Sequence, residues 1–172
     1  PGPGDQMHTG HAGDFVDNQL IKEIMSKYNG PQITKDMARR WKEQYSFVST
    51  SAPDEPVLVD FSIEGKAMTL DITDCMQRAC ESIVDPIVEN VKKLIAGSNP
   101  EYHDVFRRNM VLAGGGSSIK GLGALIERRL SDMGDVNVHV VDDPVRLGAM
   151  GGLRLAMEVP EEMWKNLTLA SR

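Results

Sequence analysis

Several things are scarce in this sequence, and each scarcity narrows its class. None of the 172 residues falls in a run near the roughly 20 consecutive apolar residues of a bilayer-spanning helix, so no direct membrane insertion is expected. Residues 1–10, PGPGDQMHTG, have neither the basic start nor the apolar centre of a secretion signal, which makes the cytoplasm the expected compartment. Aromatic residues are only 5% of the chain, leaving few platforms on which bases could stack. Cationic excess is absent too: 19 Lys and Arg stand against 25 Asp and Glu, a net charge of -6, which argues against a nucleic-acid partner. The two cysteines, Cys75 and Cys80, match neither a zinc pair nor a redox CxxC. They lie in a helical pattern, where positions five apart face different ways, so a disulfide is not expected.

What remains is ordinary globular material. Hydrophobic residues make up 41% and charged residues 26%, enough for one domain or two small lobes around a folded core. After a Pro- and Gly-rich opening, Phe15, Val16, Leu20, Ile24, Met25 and Tyr28 recur at helical spacing, with Asp14 as N-cap candidate and Asn29-Gly30-Pro31 as the stop. A second helix is predicted over 34–45, capped by Thr34. Residues 56–63 and 67–70 read as strands around Glu64-Gly65-Lys66. A long apolar stripe from Asp71 to Ala96 predicts helix, with Pro86 imposing a kink or a division into two. Beyond a polar connection over 97–109 the order becomes strand 110–113, helix 119–132, strand 136–141 and helix 145–158, an α/β layer. The terminal EVPEEMWKNLTL suggests one more short helix, with Trp164 docking inside the fold or at a contact between copies. The expected organisation is an α/β lobe of residues 1–30 and 104–172, split by a helix-rich insertion over 31–103.

The segment 110–123, MVLAGGGSSIKGLG, carries the most chemistry. Three glycines at the carboxyl end of a strand give a backbone surface without side chains, suited to a phosphate or to a flat base and ribose. The pattern is neither GxxxxGK[ST] nor a supported GxGxxG, so nucleotide binding and a tight structural turn both stay open on spacing alone. Arg40-Trp41-Lys42-Glu43 places a cation and an acid beside an apolar helix face, where they could touch a base and ribose hydroxyls; on the residues alone a solvated charged face is the favoured reading. His8, His11, His103 and His139 form no metal motif. Asp142 and Asp143 read as a turn before Pro144, and Ser117-Ser118 has no neighbouring base to make it a nucleophile.

The AGD of Ala12-Gly13-Asp14, the KE of the second helix, LAGGGSSIKGL and VDDPVRLGAMGGL together resemble, in order, the C-terminal half of bacterial actin-like filament proteins. The likeness is to those of magnetosome filaments and, more distantly, to those that set rod shape. It implies an α/β actin-like domain II, with a subdomain IIA sheet and flanking helices and an inserted helix-rich subdomain IIB. It also implies an ATP-dependent cytoskeletal filament, lying alongside the magnetosome chain, that positions magnetosomes. Self-association would be its main partnership when full length, with an acidic magnetosome-associated protein as a candidate partner. Carried over by position, Lys42 and Glu43 are implied to contact adenosine from one side. Gly114, Gly115, Gly116, Ser117 and Ile119 are implied to receive it from the other. Gly13 and Asp14 resemble a structural junction. In that family the phosphate loops and the Mg²⁺-associated aspartate precede the segment matched here. The full-length relative would hydrolyse ATP to ADP and phosphate, with Mg²⁺ held mainly by the other half. This chain alone is expected to be inactive, with weak or absent nucleotide binding. A nucleotide-independent interaction domain is the alternative reading.

Overall fold

The computed structural model describes residues 6–29, 32–63, 66–160 and Met163, without the side chains of 62, 63 and 66. Helix α1, Gly13–Tyr28, forms where Val16, Leu20 and Ile24 recur along one face, all three essentially inaccessible to water. It ends at Asn29 in the left-handed conformation, φ 60°, whose N–H returns to the Met25 carbonyl. Its N-cap is Ala12 and not Asp14, which sits inside the first turn, where a negative charge suits the helix dipole. Helix α2, Lys35–Tyr45, begins as the sequence predicts: the Thr34 hydroxyl accepts from the Met37 N–H at 3.3 Å.

After a 3₁₀ turn over Ser49–Ser51, strands β1 (Leu58–Ile63) and β2 (Lys66–Asp71) pair antiparallel, Leu58 opposite Asp71. Glu64 and Gly65 of the expected turn lie outside the described residues. The long apolar stripe divides into α3, Thr73–Glu81, and α4, Val84–Ala96. The break falls at Ser82-Ile83, ahead of Pro86. Pro86 is the third residue of α4, within the first turn, where its missing N–H leaves no intrahelical bond unmade.

Helix α5, His103–Arg108, leads into β3, Met110–Leu112; α6, Leu122–Leu130, then crosses to β4, Val138–Val140. Strands β3 and β4 are parallel, Met110 opposite Val138, as a βαβ crossover requires. Helix α6 starts three residues later than predicted, because Gly115–Ser118 turns as 3₁₀ and Gly121 (φ 80°) forms the entry to the helix. Helix α7, Leu147–Glu158, follows. The expected terminal helix, with Trp164, lies largely outside the described residues.

The result is a mixed α/β fold of two small sheets flanked by helices. One apolar cluster joins it: Leu20 and Ile24 of α1, Met76 and Cys80 of α3, Leu125 and Leu130 of α6, with Phe47 and Val48 between. Each large side chain so buried contributes about 1.5–3 kcal/mol. Helix α7 is the exception. None of its residues is buried, and Met150, Leu153, Leu155 and Met157 all face outward.

Candidate functional site

The glycine segment folds on itself. Gly114, at φ 88°, donates its N–H to the Pro144 carbonyl at 3.0 Å and thereby ties the end of β3 to the turn after β4. Its own carbonyl accepts from the Ser117 N–H at 3.0 Å and from the Ser117 hydroxyl at 2.8 Å. Ser117 is therefore a buried internal brace of the turn, and Ile119 is buried in the core behind it. Gly115 and Gly116 differ from Gly114. Neither has positive φ; like Gly114, both are exposed, and a Cβ added at either would meet nothing within 4 Å. Among the described residues, no conformational or packing demand calls for glycine at these two positions.

Beside this turn opens a cleft of about 550 Å³, lined by Ser117, Ser118, Lys120, Gly123, Val140 and Asp142, among others. Its walls are the entry to α6 and the β4 end of the parallel sheet, the carboxyl edge where α/β layers receive ligands. Among the described residues, no group of three or more His, Cys, Asp or Glu could hold a metal ion.

Helix α2 reaches this region through its exit. The Val48 N–H donates to the Lys120 carbonyl at 3.0 Å, and the Lys120 N–H donates to the Ser46 carbonyl at 3.3 Å. Thr50 adds a hydroxyl bond to the Gly121 carbonyl at 2.7 Å. The two segments singled out in the sequence are thus joined between the residues that follow α2 and Lys120 and Gly121 of the glycine segment.

The individual side chains are less simply placed. Lys42 does not line the cleft; its ammonium donates to the Gly13 carbonyl at 3.0 Å and stands 2.7 Å from Asp17 Oδ1. Glu43 is exposed beside it and is likewise absent from the cleft wall. Asp14 pairs with Lys35 at 2.8 Å and Arg39 at 3.3 Å, and the Lys35 bond and charge, more than Arg39, hold its carboxyl below the usual range. Asp17 is the residue that sequence reasoning missed. It is fully buried, and the signal was its position three and seven residues before Leu20 and Ile24, on the apolar stripe itself.

The likeness of the whole chain to known proteins is extensive. The model of a family described as MreB/Mbl protein matches residues 7–163. The chain belongs to the MreB/Mbl family. Among its relatives, the actin-like protein MamK of Paramagnetospirillum magneticum is 39% identical over 167 residues, which are 97% of this chain and 48% of MamK. Two solved structures superpose closely. A non-polymerising MamK mutant bound to AMPPNP gives a TM-score of 0.84 at 40% identity, covering 92% of this chain and 48% of that one. A MamK double helical filament gives 0.86 at 39%, covering 93% and 49%. The fold is accordingly a mixed α/β actin-like one. This MreB/Mbl chain spans about half the length of the relatives it matches.

Proposed function

We propose that this chain provides the adenosine-facing part of an ATP-dependent actin-like cytoskeletal filament protein that positions magnetosomes. In this reading residues 1–30 and 104–172 form the subdomain IIA-type base and 31–103 the inserted IIB-type lobe. The observation that carries it is the pairing of Ser46-Phe47-Val48 with Lys120. This pairing ties the exit of α2 to the residue two positions after the glycine turn, while Gly115 and Gly116 present bare backbone to open space. A bare backbone surface that nothing among the described residues requires fits a flat base and ribose approaching from outside. The adjoining cleft, at about 550 Å³, lies within the range of small-molecule sites.

Gly114, Gly115, Gly116, Ser117 and Ile119 would form the wall that receives adenosine, and Lys42 and Glu43 would approach from α2. Bound ATP supplies the phosphoryl group whose loss to water changes filament stability. These residues bind and orient the nucleoside end only. They are assigned no step in hydrolysis, which depends on cations and a water-orienting group placed around the leaving phosphate. Support for the filament comes from the MamK relatives, one solved as a double helical filament and one bound to AMPPNP. The outward apolar residues of α7 fit a surface covered by the rest of such a protein.

The test is equilibrium binding of a fluorescent ATP analogue to the purified chain, alone and joined to the amino-terminal half of a MamK. Weak or no binding alone and clear binding in the joined protein is the expected result. No binding in the joined protein removes the adenosine assignment.

A further inference from the structure

Asp17 is a carboxylate with no exposed surface, and neither of its oxygens has a hydrogen bond of proper geometry. Burying an ionised carboxylate is costly unless a charge compensates it. The compensation comes from α2: Lys42 Nζ lies 2.7 Å from Oδ1 and Arg39 Nε 3.7 Å from Oδ2. Lys42, whose side chain is only 16% exposed, also donates to the Gly13 carbonyl at 3.0 Å. An added Cβ at Gly13 would come within 3.2 Å of the same ammonium. The start of α1 is therefore shaped around this one lysine, which spans the junction between the base and the expected insertion.

We infer that Asp17 is the positioning residue of the nucleotide wall: it holds the Lys42 ammonium against the start of α1 and so sets where α2 stands relative to the glycine turn. This rests on the adenosine reading above and adds its control. Lys42 acts as a strut whose charge is held by Asp17, and nucleotide affinity depends on Asp17 without Asp17 touching the ligand. Asp14 differs. It is exposed and bonded to Lys35 and Arg39, so it contributes to the junction without setting Lys42.

Two measurements test this. In the 172-residue chain, NMR should show the Lys42 ammonium protons in slow exchange, and Asp17→Asn should abolish that signal while Asp14→Asn preserves it. A Lys42 ammonium in fast exchange in the unsubstituted chain overturns the proposal even if Asp17→Asn fails to fold. In the chain joined to a MamK amino-terminal half, Asp17→Asn and Lys42→Met should each weaken binding of the fluorescent ATP analogue about tenfold, the order expected for breaking a buried ion pair that positions the wall. The double variant should be no weaker than Lys42→Met alone, because a residue acting only through Lys42 has nothing further to lose. Additive losses would show a purely structural Asp17 and overturn the proposal. If the unsubstituted joined protein binds nucleotide and Asp17→Asn binds it equally well, the adenosine reading stands and the positioning role falls. If the unsubstituted protein binds none, both fall together.

Discussion

Phe47 and Lys120, 73 positions apart in sequence, form a parallel backbone bridge between the exit of α2 and the residues that follow the glycine turn. Bonds of 3.0 Å and 3.3 Å flank it, from Val48 to Lys120 and from Lys120 to Ser46. Each such bond contributes about 1 kcal/mol net. Together they prevent α2 from shifting without moving the segment that opens α6, which couples the two sides of the proposed wall.

Gly121 lies beside that bridge and has the least room for change. At φ 80°, its added Cβ would fall 2.6 Å from Thr50 Oγ1 and 2.7 Å from Ser51 Cβ. Gly121→Ala combines left-handed strain with a clash against the 3₁₀ turn, and should destabilise the fold by about 2–3 kcal/mol. A clear drop in the urea midpoint is expected; an unchanged midpoint would show that the turn yields freely.

Gly115→Ala should behave in the opposite way. Its Cβ enters open space without backbone strain, so stability should stay within about 0.5 kcal/mol of the original. ATP-analogue binding by the chain joined to a MamK amino-terminal half should nevertheless weaken, since the methyl group would stand where the base and ribose approach. Unchanged affinity would place the nucleotide elsewhere.

Local chemistry made much of the fold legible, and long-range geometry hid the rest. Thr34 announces α2 because capping is decided within four residues, and the alternation around β3 and β4 announces the α/β layer. Pro86 announced the division of the apolar stripe into two helices but not its place: a proline marks a boundary within a turn or so, and here that boundary precedes it at Ser82-Ile83. The onset of α6 was misjudged because three glycines followed by two serines suit a 3₁₀ turn as well as a helix start. The glycine turn could be read as a candidate wall, but the engagement of Lys42 could not. Its partner Asp17 lies 25 positions away, and nothing local distinguishes a buried carboxylate from a solvated one except its place on the Leu20–Ile24 stripe.

Asp71 carries a pH-dependent contribution. Its Oδ1 accepts from the Thr73 hydroxyl at 2.6 Å and from the Thr73 N–H at 3.0 Å, at the start of α3. These bonds, the hydroxyl first, hold its carboxyl below the ordinary 3.8. A depressed folded-state value means stability that is present above pH about 4 and lost as pH falls through the folded value. Asp71→Ala should cost about 0.5–1 kcal/mol at pH 7, the low end for a capping group so open to solvent. That difference should shrink as pH is lowered from the ordinary 3.8 through the folded value in urea titrations, and a difference independent of pH would assign it to packing.

Cys80 should resist thiol reagents in the folded chain. Burial pushes its thiol up to about 11, against the partial opposition of the Phe47 backbone and Lys42. Burial likewise raises Cys75. At pH 8 the Cys80 thiolate fraction is about one part in a thousand, and the sulfur is enclosed as well. Ellman's reagent should therefore react with neither cysteine until denaturant is added. Immediate reaction of two thiols per chain would mean that α3 opens readily from the core.

Filament formation tests the largest step. The chain spans about half the length of MamK relatives, one of which is solved as a double helical filament. A head-to-tail contact that repeats along a filament joins two different surface patches, and the proposal assigns this chain only part of the protomer that carries them. The outward apolar side chains Met150, Leu153 and Met157 on α7 can still promote weak, irregular association. Sedimentation of the 172-residue chain should give monomers or small, weakly associated species that depend on concentration and lose order with size. Replacing Leu153 and Met157 by serine should reduce even that association while leaving the folded core unchanged, because neither residue is buried in it. Long, regular filaments from the unsubstituted chain would show that the complete longitudinal contact already resides in these residues, and would overturn the division of labour proposed between the two halves.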